Sequence, residues 1–254
     1  MERKRYFNIN LEFDKQKVDQ IIENTITSGK KGYVCSVEGN ILAQANKNKE
    51  YLEIINNSLV NICDGSSIAF LASLIYHKKF STYIGADLFI KYIKEKKYKY
   101  YFLGNTEEVL NGLKLNLQQY NALIKEMYFK TLPFKDVDDF DYKSIAMDIN
   151  TNNPDIIWVS LGAPKQEKFM AKLLPHINKG VMFGFGAIFN FYSGIKALKR
   201  APKWMLFLKL EWLYRIIKEP KRIGSRAWQY IKLIPMLFFN ENKKRKQKTT
   251  TKYY

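Results

Sequence analysis

The sequence predicts an α/β domain with a mainly parallel sheet flanked by helices, followed by a basic helical appendage. Three observations predict it. Short β-branched and aromatic runs alternate with stretches of helical spacing, and several runs end in a glycine-bearing junction that opens the next helix. After Gly194 the alternation stops, and basic residues interleaved with large apolar side chains take over.

The predicted strands are Gly32–Val37, Leu59–Cys63, Phe80–Ile84, Tyr100–Leu103, Ala122–Phe129, Asp155–Leu161 and Gly180–Phe185. Helical spacing fills Ile41–Ile55, Ser66–His77, Asp87–Lys94, Thr106–Gln119 and Lys165–Leu174. Strand–helix alternation of this kind gives parallel neighbours, and such sheets place ligands beyond the carboxyl ends of their strands. Residues Trp204–Lys218 and Arg226–Phe239 read as amphipathic helices, and Lys243–Lys252 as a basic low-complexity tail. The domain limits are therefore 1–195 for the α/β unit, 196–240 for the appendage and 241–254 for a disordered tail. Pro202 in Lys199-Arg200-Ala201-Pro202 suits a first helical turn at the boundary.

With 254 residues and 46% hydrophobic content, the chain can bury a full core. Its net charge of +18 is concentrated, because the last 59 residues hold seventeen Lys and Arg against Glu211, Glu219 and Glu241. An anionic partner is implied, and nucleic acid, anionic lipid and phosphate-bearing substrates all satisfy that charge. Cys35 and Cys63 are too few for a disulfide framework and read as reduced core residues of an intracellular protein. The N-terminus has no apolar run of signal-peptide length, and Ile231–Phe239 is too short to span a membrane, so a chain neither secreted nor spanning is expected.

Strand ends are where chemistry is sought. Cys63-Asp64-Gly65-Ser66 puts a carboxylate at a helix start on the ligand edge, a place that equally suits an N-cap. Ser36 ends a neighbouring strand on the same rim. Leu103-Gly104-Asn105-Thr106 is a second junction able to receive phosphate or sugar on backbone N–H groups, or simply to cap a helix. Gly184-Phe185-Gly186 is half a dinucleotide fingerprint with Phe189 at the third glycine position, which argues against a nicotinamide enzyme. Asp136-Val137-Asp138 has the form of a metal-binding DxD, but its acidic loop favours capping and solvation. His77 and His176 have no neighbours at metal spacing, so neither a metal site nor a serine–histidine triad is expected.

Four segments are far more specific. Leu161-Gly162-Ala163-Pro164-Lys165-Gln166-Glu167-Lys168, Lys199-Arg200-Ala201-Pro202-Lys203-Trp204-Met205, Glu211-Trp212-Leu213-Tyr214-Arg215 and Glu219-Pro220-Lys221-Arg222 occur in this order. Together with Cys63-Asp64-Gly65, Gly85-Ala86-Asp87-Leu88-Phe89 and Tyr101-Phe102-Leu103-Gly104, they closely resemble the WecG/TagA/CpsF family, glycosyltransferase family 26. The resemblance implies a Rossmann-like domain and a metal-independent, inverting transferase with no cofactor. It further implies a UDP-sugar donor, with an N-acetylmannosamine-type or other hexose, and a polyprenyl-diphosphate-linked sugar acceptor. By the same resemblance Asp64 is the general base, Gln166 contacts sugar or acceptor, and Ser36 keeps the hydroxyl of the first-strand motif. Gly65, Gly104, Asn105, Gly162, Lys165, Gly186 and Asn190 then form the substrate-binding rim. Arg215, Arg222 and Arg226 meet the charge of the departing UDP. Three positions depart from the family pattern: Glu38 where Asn is common, Thr82 near the place of an Arg, and Asn190 where an Asp is usual. Lys78 or Lys79 is the nearest substitute for the charge absent at Thr82.

The appendage has the composition of an interfacial helix, with Trp at headgroup depth and Lys or Arg reaching phosphates. An enzyme held at the inner, cytoplasmic face of the cell membrane follows from that reading, with no nucleic acid required. A nucleic-acid-binding protein using the basic, aromatic C-terminus and a membrane scaffold with an impaired site are the competing readings. The sequence leaves a homo-oligomer open.

Overall fold

The computed structural model describes residues 4–195, 201–202, 204–205, 214, 217 and 220–250. Among these, eight strands form one sheet: β1 (Arg5–Tyr6), β2 (Ile9–Glu12), β3 (Lys31–Val37), β4 (Val60–Cys63), β5 (Tyr100–Gly104), β6 (Tyr128–Lys130), β7 (Ile156–Ser160) and β8 (Gly180–Gly184). Their spatial order is β1-β2-β4-β3-β8-β7-β5-β6. Every neighbouring pair is parallel except the β1–β2 hairpin. Strands β4, β5, β7 and β8 are buried at every residue, the mark of a sheet covered on both faces.

The covering helices divide into two layers. The helices α2 (Gly39–Lys47), α3 (Lys49–Asn56), α4 (Ser66–Tyr76), α7 (Tyr142–Asn152) and α8 (Lys165–Leu173) pack one face. On the other face lie α1 (Lys15–Thr27), α5 (Gly85–Glu95), α6 (Glu107–Leu117) and α9 (Gly186–Ser193). Strand β3 shows how two-residue periodicity feeds both layers: Tyr33, Cys35 and Val37 enter the first core, and Val34 enters the second. Cys35 and Cys63 are buried free thiols.

Two predicted strands change. Phe80–Ile84 is extended but pairs with no strand, because β4 already has β2 on one edge and β3 on the other. Its Phe80 ring joins Tyr6, Phe13 and Tyr76 in an aromatic cluster. Within Ala122–Phe129, residues Ala122–Glu126 form a 3₁₀ turn capped by Asn121, leaving only Tyr128–Lys130 for the edge strand. The predicted helix Ile41–Ile55 is two helices broken at Asn48, which caps the second by accepting from the Tyr51 N–H.

The C-terminal helix α10 (Pro220–Thr250) lies against α2 and α4. It takes in residues 241–250 of the segment read from the sequence as a basic tail. The domain boundary near Lys199 and most of Trp204–Lys218 lie outside the described residues. Tyr230, Leu233, Leu237 and Glu241 are buried at spacings of three and four, one stripe of a helix. The Tyr230 ring covers Gly39 so closely that a Cβ there would stand 2.7 Å from Cδ1. Glu241, 1% exposed, accepts from the Phe7 N–H (3.0 Å) and the Tyr76 hydroxyl (2.7 Å) and pairs with Lys244.

Ser67 bonds Tyr230 at one end of α4 and Tyr76 bonds Glu241 at the other, so α10 runs parallel to α4. Residues 220–229 therefore continue about 15 Å past the start of α4, beyond the carboxyl edge of the sheet. Among the described residues no helix is long and apolar enough to cross a membrane.

Candidate active site

Asp64 stands where β4 ends and α4 begins, half-buried on the carboxyl edge. It does not cap α4, whose N-cap is Gly65 with no side-chain bond. Instead its carboxylate is oriented from two other elements. Ser36 Oγ, from β3, donates to Oδ2 at 2.8 Å, and the Gly85 N–H at the start of α5 donates to Oδ1 at 3.2 Å. Glu38 is a helix cap, accepting from the Asn40 and Ile41 N–H groups. Thr82 is half-buried three residues before Gly85. Lys78, one of the two lysines considered for the charge absent at Thr82, is exposed and lies over the Phe80 ring at 5.9 Å.

The ends of β7 and β8 form a second wall, held by one side chain. Gln166, buried in the first turn of α8, accepts from the Gly162 and Gly186 N–H groups (3.1 Å each) with its single Oε1. Its Nε2 donates to the Gly184 carbonyl and to Glu167 Oε1, both at 2.8 Å. Both lone pairs and both protons of the amide are thus used within the protein. In this structure Gln166 acts as a clamp between two loops. The same geometry explains Gly184-Phe185-Gly186: a Cβ at Gly186 would stand 2.8 Å from the Gly162 nitrogen, and one at Gly184 would stand 3.2 Å from the Gln166 amide carbon. Gly162 and Gly186 both lend their N–H groups to Gln166.

From Gly186 the polar chain continues. Ser160 Oγ donates to the Gly186 carbonyl at 3.0 Å, and Asn105 Nδ2 donates to Ser160 Oγ (3.0 Å) and to Asn190 Oδ1 (3.3 Å). Asn105 and Asn190 are only half-buried, so this network borders the open edge beyond Gly104. Lys165 turns the other way, over the Phe134 and Phe140 rings, and donates to the Lys135 carbonyl. Asp138 of the DxD segment pairs with Lys172 on α8. Arg215 and the side chains of Arg222 and Arg226 lie outside the described residues. Arg226 is four residues, one turn, before Tyr230 on α10, in the part of that helix beyond the sheet edge.

A model of the WecG/TagA/CpsF family of glycosyl transferases matches residues 6–248. The chain belongs to this family. Among curated relatives, an N-acetylglucosaminyldiphosphoundecaprenol N-acetyl-beta-D-mannosaminyltransferase of Bacillus subtilis (strain 168) is 29% identical over 253 residues, covering 96% of this chain and 91% of the relative. A protein of the same name from Staphylococcus aureus (strain MW2) is 27% identical over 239 residues, covering 91% and 89%. As a WecG/TagA/CpsF glycosyltransferase the chain is a transferase enzyme, and its catalytic domain has the mostly parallel α/β sheet of the resemblance.

Sequence reasoning missed three features of the structure around this edge. Tyr230 reaches the first turn of α4 through Ser67, a contact between residues 163 positions apart that no local pattern signals. Phe70 and Leu74 are 68% and 51% exposed although they lie in a helix of apolar composition. They follow Ser67 by three and seven residues, which places them on the stripe beside α10.

The third is Glu167, fully buried and bonded to the Tyr51 hydroxyl at 3.0 Å. Burial pushes its carboxyl from 4.5 up to about 7. A carboxyl group whose proton is held more tightly in the folded state stabilises the fold in acid and loses that contribution as pH rises through about 7. The difference is roughly 3 kcal/mol. Glu167→Gln is expected to raise the melting temperature at pH 8 relative to the parent and to leave it near parental at pH 5, measured by thermal denaturation across that range.

Proposed function

We propose that this transferase moves an N-acetylmannosamine-type hexose from a UDP-sugar onto a sugar carried by a polyprenyl diphosphate, with inversion and without a metal. The observation that carries the reading is Asp64, aimed by Ser36 and the Gly85 N–H at the carboxyl edge of the sheet. The relatives' names add an N-acetylmannosaminyl donor group and an N-acetylglucosaminyl diphosphoundecaprenol acceptor.

In this mechanism the acceptor hydroxyl attacks the anomeric carbon from the face opposite UDP. Its proton passes to Asp64, the new oxygen–carbon bond forms, and the electron pair of the breaking bond leaves on the β-phosphate oxygen of UDP. Ser36 keeps the base oriented. Arg215, Arg222 and Arg226 are assigned to the developing diphosphate charge, a role favoured for the last two by the reach of α10 past the sheet edge. Gly65, Gly104, Asn105 and Asn190 border the space left for the donor.

The outer face of α10 supports a peripheral place on the inner surface of the cell membrane. Trp228, Ile231, Met236 and Phe239 are exposed there, with Lys232 packed over Trp228. Phe70 and Leu74 extend this apolar surface, which matches an interfacial helix rather than a nucleic-acid groove. A panel of UDP-sugars offered with short-chain polyprenyl-diphosphate acceptors in detergent, read by mass spectrometry, tests the activity. A glycosylated lipid from at least one donor is expected; absence of any product, together with failure to bind UDP, would remove the reading.

A further inference from the structure

The ends of β7 and β8 are tied by an amide, and an amide can sit either way round. Turned by half a rotation, Gln166 would present Nε2 to the Gly162 and Gly186 N–H groups, setting donor against donor, and Oε1 to the Gly184 carbonyl. Only one orientation closes the two loops. The Gly184 carbonyl favours that orientation on one side, and Glu167 Oε1 favours it on the other. Glu167 is itself held from a neighbouring helix of the same layer, because its second oxygen accepts from the hydroxyl of Tyr51 on α3, and both residues are almost wholly buried.

We propose that Glu167 is a positioning residue for transfer: together with Tyr51 it fixes the rotamer and amide sense of Gln166, and so the joint position of the Gly162 and Gly186 loops beside the donor space. The chain of bonds runs Tyr51, Glu167, Gln166, Gly186, Ser160, Asn105 and Asn190. It therefore links a buried carboxyl on the first core to two half-buried amides on the open edge. Glu167 touches no substrate in this scheme. Its carboxyl is needed as an acceptor, not as a charge, so a neutral group that still accepts can replace it.

Two substitutions separate this from a plain stabilising role. Glu167→Gln keeps an acceptor for Gln166 Nε2 and a partner for Tyr51. The double change Tyr51→Phe with Glu167→Leu removes the hydroxyl and its acceptor together, so the one buried polar group left short of a partner is the Gln166 amide whose position is under test. In the full-length protein the double variant is expected to fold. Amide hydrogen exchange at Gly162 and Gly186, read by NMR, should then quicken about tenfold or more as their shared acceptor loosens. Exchange in β5 and in α4 should stay as it was.

The kinetic arm rests on the transferase reading. There kcat should fall on the order of 10- to 100-fold, with KM for the lipid acceptor changed far less, as expected when reacting groups are misplaced. Glu167→Gln should restore both the slow exchange and kcat to within about threefold of the parent. Unchanged exchange at both glycines in the double variant would overturn the proposal, as would a Glu167→Gln protein as impaired as the double variant. The exchange arm uses no substrate, so it decides the positioning role even where no donor is turned over.

Discussion

Asp64→Asn is expected to leave the fold and UDP binding intact while lowering transfer on the order of 10²- to 10⁴-fold, the usual contribution of a placed general base. Asparagine has the same shape and keeps an oxygen that accepts from the Gly85 N–H, so the junction between β4 and α5 is preserved. What is lost is the capacity to take up the proton of the acceptor hydroxyl. Steady-state kinetics with saturating donor, beside a thermal melt, make the measurement. Activity within threefold of the parent would take Asp64 out of the base role and shift attention to another group on the same edge. Ser36→Ala should be milder, because it removes one of the bonds that aim the carboxylate and leaves the Gly85 bond and the carboxylate itself.

The second large effect concerns the membrane. Trp228→Ser, Ile231→Ser and Phe239→Ser in one chain are expected to weaken partition onto anionic vesicles by at least about 100-fold, since each exposed apolar side chain inserted at an interface is worth more than roughly 1 kcal/mol. All three are about half exposed or more, so the fold should be unaffected. Vesicle sedimentation at fixed ionic strength gives the partition. Transfer to a water-soluble short-chain acceptor should survive, while transfer to acceptor embedded in vesicles should fall with binding. Undiminished vesicle binding would place the membrane contact elsewhere.

Deleting residues 196–254 is a poorer test than it looks in the sequence. Tyr230, Leu233 and Leu237 belong to the first core, and stripping three such side chains of their burial costs roughly 2 kcal/mol each. The basic residues keep their own part, about 1 kcal/mol each near an anionic surface.

How much of this was legible in the sequence depends on the range of the forces involved. The parallel strands announced themselves, since β4, β5, β7 and β8 are buried on both faces and read as continuous apolar runs. The place of Asp64 on the carboxyl edge was legible too, because β4 ends and α4 begins beside it, whereas its bonds to Ser36 and Gly85 rather than to α4 were not. Phe80–Ile84 misled, since its composition is that of a strand while its pairing depends on whether β4 has an open edge, a property of the whole sheet. The N-terminal hairpin and α1 were passed over although Ile9, Leu11 and Phe13 alternate and Asp14 caps the helix.

The chemistry of Gln166 and Glu167 was the least legible. On α8 they are adjacent, and adjacency says nothing of an amide reaching Gly186 or a carboxyl reaching Tyr51 116 residues away. Glu241 behaves likewise. In the sequence it is one acid diluted by a basic tail, whereas in the fold it is the buried group that anchors α10 to the N-terminal hairpin and to α4.

The most direct measurement is the mass of the lipid product formed in the presence of a metal chelator from UDP-N-acetylmannosamine and an N-acetylglucosaminyl polyprenyl diphosphate. The account predicts a gain of one N-acetylhexosamine residue with release of one UDP, undiminished by the chelator and lost in Asp64→Asn. Product that vanishes with the chelator, or forms equally well without the carboxylate of Asp64, would contradict it.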